Sequence, residues 1–422
     1  MSAKFTNMRS MLGAVARAMN LINPDMEHHH EQTAYLSYQI GYMMGLRGED
    51  LYYTIYVALL HDIGAVVSPE LQTIEEIESH AREIAKIGAS MIKDMDQFRR
   101  LADIIEVCQN SFLENLEQLG EGAILDISQA VHVADAVTTL VKERIPILNQ
   151  VDDIVKLIEC ARGTEFSPKA VDAFLIVSRR EFMWMDLVLN PAFLLLFTGK
   201  IRDVSLEESL AYTRFMSRII DFRSPFTVMH SAGVAASARE LARLAGMNEK
   251  EIRMMEIAGY LHDIGKLRVP NEILEKPGKL TKEEFNIIKE HPYYTRLILL
   301  NVDGFEQIAD WAGYHHEKLD GSGYPFHWEA EDLDQGSRIM AVADIFSAIT
   351  EVRPYRAGMK REQALDILKE DAQKGFICGN VVKLLEDHYD EVDAAREKES
   401  REVGQRYYKS LEERRMKEKG KT

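Results

Sequence analysis

The chain has 422 residues, which suggests two or three domains, and its apolar share of 46% is sufficient for buried cores. A balance of 51 Lys and Arg against 68 Asp and Glu gives a net charge of −17, which argues against a nucleic-acid polymer as partner. Three scattered cysteines argue against a disulfide framework. With no signal peptide and no apolar stretch long enough to cross a bilayer, we expect a cytoplasmic protein without a membrane partner.

Helices are predicted along the whole chain. Apolar residues recur at three- and four-residue spacing, as at Leu51, Ile55 and Ala58, and strand-like alternation is scarce. The expected fold class is all-α, with two tandem helical domains joined by a helical linker. We predict a first domain over residues 1–185, a linker and connecting helix over 186–222, a second domain over 223–392 and a charged, solvated helix or tail over 393–422.

A tandem repeat underlies this organisation. The pentapeptide Leu-His-Asp-Ile-Gly occurs twice, 201 residues apart (262 − 61), and the same interval relates His29 to His230. An interval of 209 residues (344 − 135) relates Asp135 to Asp344. Because the agreement is colinear at separate points, it indicates a duplication rather than a chance recurrence.

The second repeat carries side chains suited to metal binding. Two ions about 4 Å apart stabilise both the attacking and the leaving oxygen of a phosphodiester, and a carboxylate between them is a natural bridge. We assign the bridge to Asp263. The remaining predicted ligands are His230, His262 and Asp344 for a first ion and His291, His315 and His316 for a second. Imidazole with carboxylate suits Fe, Mn, Ni or Zn and does not choose among these divalent ions.

These motifs resemble those of the HD-GYP phosphodiesterases, a branch of the HD hydrolases. The resemblance covers residues 205–392, with His-Asp-Ile-Gly-Lys at 262–266, His-Pro at 291–292, His-His-Glu at 315–317, Gly-Tyr-Pro at 323–325 and Arg-Pro-Tyr-Arg at 353–356. It implies metal-dependent hydrolysis of a bacterial cyclic dinucleotide, cyclic di-GMP or cyclic GMP-AMP, to the linear dinucleotide or to mononucleotides. It also implies catalytic roles for Asp263 and Lys266 and substrate contacts for Tyr324, Arg353 and Arg356.

Two positions of the second repeat depart from the family pattern. Phe226 stands where three-metal members have a Glu, and an aromatic ring cannot coordinate, so we predict a two-metal site. Thr295 stands where the family usually has a Gly. We expect this threonine to change helix packing or to narrow the pocket.

The first repeat is degraded selectively. It keeps the minimal quartet of a one-metal HD site, which consists of His29, His61, Asp62 and Asp135. It lacks the Gly-Tyr-Pro loop, and the counterparts of Lys266 and of the three second-ion histidines are Ala65, Ile84, Cys108 and Gln109. We predict a degenerate domain that serves packing, dimer contact or regulation. Whether the quartet still holds a vestigial metal ion stays open.

Histidines outside the matched set are interpreted as structural. His28 and His30 flank the first ligand and are expected to be solvated residues at a helix start. His132 is expected to belong to the core or to contact a ligand without being one. His80 is the one candidate to replace a lost ligand, while His388 is expected at the surface.

Two other functions stay open. The chain could be a non-catalytic HD signalling or regulatory module that binds a nucleotide or a protein partner, or an HD nucleotidohydrolase acting on mononucleotides. The complete ligand set and the Gly-Tyr-Pro segment favour the enzyme and the larger, cyclic substrate. A homodimer or a signalling protein partner is compatible with the sequence but is not required by it.

Overall fold

The computed structural model describes residues 4–22, 26, 28–68, 71, 73–93, 95–142, 144–189, 202–223, 228–274, 276, 278–351 and 358–419. Within these ranges the fold is all-α, as predicted. The helices of the first half are Met8–Asn20, His29–Met43, Gly48–Leu60, Ile74–Ser79, Ala81–Ile92, Arg99–Ile105, Phe112–Leu119, Ala123–Leu140, Val151–Cys160, Pro168–Ser178 and Glu181–Leu189. Those of the second half are Leu206–Arg223, Val228–Leu244, Glu249–Leu261, Asn271–Leu274, Lys282–Ile288, His291–Leu299, Glu306–Gly313, Gln335–Thr350, Arg361–Gln373, Gly379–Asp387 and Tyr389–Lys419.

The chain divides into two compact units. One comprises Asn7–Arg202, and the other comprises Met1–Thr6 with Asp203–Thr422. Among the described residues the only strands are Thr6–Asn7 and Asp203–Val204, which pair with each other.

The same three-helix arrangement recurs in both units. In the first unit, His29–Met43, Gly48–Leu60 and Ala123–Leu140 pack against one another. The corresponding helices of the second unit are Val228–Leu244, Glu249–Leu261 and Gln335–Thr350. The first histidine, the His-Asp pair and the last aspartate of each repeat therefore come from three mutually packed helices.

The turn between the first two of these helices is also repeated. Gly45 and Gly246 adopt left-handed backbone conformations, with φ of 94° and 78°, which favour glycine. The residue after each glycine donates its N–H five residues back, from Leu46 to the Gly41 carbonyl at 3.0 Å and from Met247 to the Ala242 carbonyl at 3.1 Å. This C-terminal cap sets the direction in which the His-Asp helix departs.

The last helix corrects one expectation from the sequence. Residues 393–422 are predicted to form a solvated helix or tail, but the helix that contains most of them, Tyr389–Lys419, packs against Val228–Leu244, the helix that carries His230. Arg396 is buried, and the Ser400 hydroxyl donates to the Met229 carbonyl at 2.9 Å. Small residues on both helices allow this close approach, because a Cβ at Gly233 would lie 2.9 Å from Ser400 Oγ.

None of the described helices is both long and apolar enough to cross a membrane.

Candidate metal centres

The second unit brings one group of predicted ligands together around Asp344. His230 Nε2 lies 3.1 Å from Asp344 Oδ1, and His262 Nε2 lies 3.8 Å from the same oxygen. The ligating atoms of these three residues are within 4.8 Å of one another, and all three side chains are buried. This group matches the predicted ligands of a first ion.

Asp263 directs its two carboxylate oxygens at different imidazoles. Its Oδ2 lies 3.3 Å from His262 Nε2, while its Oδ1 lies 3.3 Å from His291 Nε2 and 3.9 Å from His315 Nε2. The side chain is 1% exposed. A carboxylate in this position has the geometry required to bridge two ions.

A second group consists of His291, His315 and His316. Their ligating atoms are within 4.8 Å of one another, and His316 Nδ1 lies 3.8 Å from Asp344 Oδ2. His316 is the most open of the three, with its side chain 28% exposed. The group matches the predicted ligands of a second ion.

Backbone carbonyls fix the orientation of the buried imidazoles. His262, His291 and His315 each place Nδ1 at 2.6–2.8 Å from the carbonyl oxygen three residues earlier. Because a carbonyl only accepts hydrogen bonds, each Nδ1 must carry the proton. Each Nε2 is then a lone-pair donor that points into the cluster, which is the usual state of a histidine ligand.

In this arrangement hydrogen-bond acceptors, the Nε2 lone pairs and the carboxylate oxygens, lie opposite one another with no proton between them, unless a cation is bound there. The Nε2 atoms of His291 and His315 are 3.2 Å apart, and neither carries a proton in the tautomer that the carbonyls impose. His262 Nε2 and Asp263 Oδ1 are buried without a hydrogen-bond partner. Buried polar atoms are rarely left unsatisfied, so the donor set fits divalent cations.

The carboxylates of the cluster are held in their charged form. Burial raises the pKa of Asp263, but its interactions with the His262 imidazole and the Lys266 ammonium outweigh this effect and leave the pKa well below its ordinary range. Burial likewise raises the pKa of Asp344, and the hydrogen bond from His230 reverses the effect. Both groups are therefore available as anionic ligands.

The imidazoles divide into two electrostatic classes. Burial lowers the pKa of His316 to about 3, and burial with neighbouring imidazoles lowers that of His315 well below its ordinary value. Burial also lowers the pKa of His230, but hydrogen bonds to Asp344 and Glu351 overcome this and raise it to about 9. In the absence of an ion, His230 therefore holds a proton that a metal must displace.

Of the predicted catalytic and substrate-binding residues, Lys266 and Tyr324 lie beside the metal ligands of the second domain. Lys266 Nζ lies 2.6 Å from Asp263 Oδ2, and the lysine side chain is 23% exposed. The Tyr324 ring lies 4.9 Å from the His316 ring, and burial raises the pKa of its phenol. The predicted substrate arginines and the phenylalanine that departs from the three-metal pattern, Arg353, Arg356 and Phe226, lie outside the described residues.

Thr295 ties the His-Asp turn to the next helix. Its hydroxyl donates to the His262 carbonyl at 2.8 Å and accepts from the Gly265 N–H at 3.0 Å. The two segments approach so closely that a Cβ at Gly265 would lie 2.0 Å from the His291 carbonyl oxygen. The threonine that departs from the family pattern therefore fixes the backbone of the turn that contains Asp263, from the His262 carbonyl to the Gly265 N–H.

Two glutamates near the cluster were not assigned a role from the sequence. Glu317 accepts hydrogen bonds from Phe326 N–H at 2.7 Å and Trp328 N–H at 3.1 Å, and so closes the Gly-Tyr-Pro loop. Glu351 is buried with Oε2 at 3.5 Å from His230 Nδ1. A role for Glu317 could have been predicted from its position directly after the His pair. Glu351 lies beyond the last matched aspartate, and no sequence motif pointed to it.

The first unit brings its quartet together in the same way. Asp135 Oδ1 lies 3.1 Å from His29 Nε2 and 3.0 Å from His61 Nε2. Asp62 Oδ2 lies 3.0 Å from His61 Nε2 and 3.7 Å from His29 Nε2. All four side chains are buried, and His61 Nδ1 is fixed by the Ala58 carbonyl at 2.7 Å.

The interpretation of His30 as a solvated residue is wrong. His30 is 0% exposed, and its Nε2 lies 3.8 Å from Asp62 Oδ2. It was misplaced because the second repeat has no histidine at this position and therefore offered no template. His132 Nε2 lies 3.5 Å from a carboxylate oxygen of Glu165. His80, the candidate to replace a lost ligand, is exposed, and its Nδ1 lies 3.0 Å from the Glu76 carbonyl oxygen.

Comparisons with known families agree with this duplicated geometry. Residues 26–140 and residues 214–377 each match a family model described as an HD domain. The solved structure of a cyclic GMP-AMP specific phosphodiesterase of Vibrio cholerae, V-cGAP3, superposes with a TM-score of 0.62 at 21% identity, covering 94% of this chain and 98% of that one. At this identity the likeness concerns the fold.

Curated relatives have names that describe one chemistry. The 3'3'-cGAMP-specific phosphodiesterase 1 of Vibrio cholerae is 28% identical over 90% of this chain and 91% of its own length. The 3'3'-cGAMP-specific phosphodiesterase 3 of the same organism is 42% identical over 36% of this chain and 34% of its own length. A cyclic di-GMP phosphodiesterase of Pseudomonas aeruginosa is 40% identical over 34% of this chain and 35% of its own length.

The spans of these similarities differ. The chain spans nearly the full length of the first relative and about a third of the other two. Two HD domains, a Gly-Tyr-Pro loop beside the second metal cluster and this similarity point the same way. The chain is a tandem HD-domain protein that belongs to the HD-GYP phosphodiesterases.

Proposed function

We propose that the second domain hydrolyses a phosphodiester bond of a cyclic dinucleotide with the help of two divalent transition-metal ions. The observation that carries the proposal is the position of Asp263, whose two oxygens face two separate groups of imidazoles. When bound, the two ions supply Lewis-acid stabilisation of the phosphate and make water nucleophilic at neutral pH. We assign the seven ligands as the sequence predicts, and we place the catalytic domain at residues 223–392.

Lys266 is assigned to charge stabilisation. Its ammonium lies 2.6 Å from Asp263 Oδ2 and keeps part of its surface open to solvent. A substrate phosphate that approaches the cluster meets this fixed positive charge, which stabilises negative charge as it develops on the phosphoryl oxygens. The lysine requires no reorganisation to do so, because the aspartate already holds it in place.

An aromatic groove beside the cluster supports a substrate that contains planar bases. The groove has a volume of about 570 Å³ and is lined by Lys289, Glu290, Tyr293, Tyr294, Pro325 and Phe326. Tyr293 is 49% exposed, and its ring lies 6.2 Å from that of Phe326. Lys289 Nζ lies 5.7 Å from the centre of the Tyr324 ring, so the groove adjoins the Gly-Tyr-Pro loop. Bases stack on such rings without sequence preference.

We propose 3'3'-cyclic GMP-AMP as the preferred ring, with cyclic di-GMP as the second candidate. The relative that matches this chain over 90% of its length is specific for 3'3'-cGAMP, whereas the cyclic di-GMP phosphodiesterase of Pseudomonas aeruginosa matches over 34%. The three cysteines are free, which suits a reducing compartment, and we place the enzyme in the cytoplasm.

Hydrolysis of both rings by the purified chain tests the proposal. We expect turnover under reducing conditions with Mn²⁺ or Fe²⁺, and its loss in the double variant His262→Ala/Asp263→Ala. His388→Ala, a change at a histidine whose side chain is 43% exposed, is the control and should retain activity. If neither ring is cleaved by metal-loaded protein, and if a cellular effect survives the double substitution, the domain is a binding module and not an enzyme.

A further inference from the structure

We propose that the first domain holds a single divalent ion with His30 as an additional ligand, and that Gln109 excludes a second ion. The quartet of His29, His61, Asp62 and Asp135 is the part that the repeat predicts. The second repeat has Ser231 in place of His30 and His316 in place of Gln109. The roles of His30 and Gln109 are therefore inferred from the geometry of the first domain alone. It is independent of the proposed phosphodiesterase activity.

His30 points its Nε2 into the quartet. The atom lies 3.8 Å from Asp62 Oδ2, and the ring centre lies 5.5 Å from that of His29 and 5.6 Å from that of His61. The two histidines of the first ligand group in the second domain have their ring centres 5.4 Å apart. The His30 ring centre is therefore about as far from the quartet rings as the His230 and His262 ring centres are from each other.

The cluster contains unsatisfied groups that a cation would satisfy. His29 Nε2, His30 Nε2 and both carboxylate oxygens of Asp62 are buried without a hydrogen-bond partner. Each of these side chains is at most 3% exposed. Leaving several acceptors of this kind in a protein core is costly, and a divalent ion among them removes that cost.

A chain of polar contacts holds His30 in this orientation. Its Nδ1 lies 2.8 Å from Asn20 Oδ1, and the Asn20 amide donates to Glu31 Oε2 at 3.3 Å. Arg17 Nε lies 3.6 Å from Glu31 Oε1. Since the Asn20 oxygen can only accept, His30 Nδ1 is the protonated nitrogen and Nε2 carries the lone pair. Contacts of this kind to the second nitrogen are typical of histidine ligands.

The second domain fills the corresponding space differently. The interval of 201 residues places Ser231 opposite His30, and Lys266 opposite Ala65. Lys266 Nζ contacts Asp263 Oδ2 in the second domain. In the first domain the matching aspartate oxygen has no ammonium beside it and faces imidazoles instead. The first domain therefore lacks the lysine that we assign to charge stabilisation in the second domain, and it has a histidine, His30, directed at the metal site instead.

Gln109 closes the side on which a second ion would bind. Its amide Nε2 donates to Asp135 Oδ2 at 2.7 Å. In the second domain the matching oxygen, Asp344 Oδ2, faces His316 Nδ1 at 3.8 Å. The other two histidine positions of the second group are occupied by buried Ile84 and Cys108. Three imidazoles and the carboxylates of Asp62 and Asp135 therefore face one ion, and the Glu78 carboxylate lies within 4.8 Å of the ligand atoms of His29 and Asp135.

The test counts metal and does not use activity. In the full chain carrying His262→Ala, Asp263→Ala and His315→Ala, which removes ligands from both groups of the second domain, Mn²⁺ loading and gel filtration should leave about one ion per chain by elemental analysis. Adding His30→Ser, the residue that the second repeat carries here, should weaken Mn²⁺ binding at least tenfold in chelator competition. Asn20→Ala should weaken it by roughly 10–100-fold, as loss of a contact to a histidine ligand does.

His28→Asn is the matched control, because it removes an exposed histidine from the same tract and asparagine tolerates the left-handed conformation at that position, φ 69°. Its Mn²⁺ affinity should equal that of the parent. If the parent retains no ion, or if His30→Ser and Asn20→Ala bind Mn²⁺ as tightly as the control, the proposal is wrong. Should His30→Ser fail to fold, Asn20→Ala decides the question, since it leaves every ligand in place.

Discussion

Replacing Thr295 by valine should loosen the ligand pair of the second domain while conserving side-chain volume. The hydroxyl is buried and makes two hydrogen bonds to backbone, one to the His262 carbonyl and one from the Gly265 N–H. A buried backbone group left unsatisfied costs about 1–3 kcal/mol, so loss of both bonds should cost about 2–4 kcal/mol after partial relaxation. For a domain of this size that corresponds to a fall of roughly 5–15 °C in the Tm of the metal-free second domain.

The same substitution should lower divalent-ion affinity, because the His262 carbonyl and the Gly265 N–H that it releases belong to the turn that positions Asp263. We expect a loss of roughly 10–100-fold, as for other groups that orient ligands. Thermal unfolding without metal and titration with Mn²⁺ measure the two effects. Thr295→Ser keeps the hydroxyl and loses one methyl, worth about 1 kcal/mol, and is the control. If the valine and serine variants behave alike, the hydroxyl does not hold the turn.

Three further outcomes follow from the site. Lys266→Met should reduce kcat by roughly 10²–10³ while Mn²⁺ content stays at the wild-type value, since the lysine stabilises charge and is not a ligand; equal losses of metal and activity would refute that role. Tyr293→Ala should raise KM by the equivalent of about 1–3 kcal/mol, as for one stacked base, with kcat nearly unchanged; an unaltered KM would exclude the groove. The pKa of His230 is raised to about 9 in the metal-free chain, so Mn²⁺ affinity should increase as the pH rises toward 9 and binding should release a proton below that pH. A Mn²⁺ affinity that does not change with pH, with no proton released on binding, would contradict this.

The repeat explains why so much of the site could be predicted from sequence. A constant interval of 201 residues relates His29 to His230 and one His-Asp pair to the other, and helices of similar length then place these side chains in equivalent positions. The comparison of the two repeats could not identify His30 as a candidate ligand, because its counterpart in the second repeat is Ser231. A template taken from one repeat cannot reveal a ligand that only the other repeat has.

The prediction of a solvated segment over residues 393–422 was wrong for a different physical reason. Its mixed charges give no apolar stripe, and so the pattern predicted a solvated helix. Its packing depends instead on small residues, since Gly233 faces Ser400 and a Cβ at Gly404 would lie 3.2 Å from Met229 Sδ. Close approach of helices through small side chains leaves little trace in hydrophobic periodicity.

The central claim is that Asp263 bridges two ions held by the imidazoles of the second domain. Anomalous diffraction from crystals of the Mn²⁺-loaded chain, recorded on either side of the manganese edge, measures this directly. We predict two peaks in the second domain, one on each side of the Asp263 carboxylate, the first among His230, His262 and Asp344 and the other among the remaining three histidines. A single peak that Asp263 does not share, or no peak at these side chains, would contradict the account.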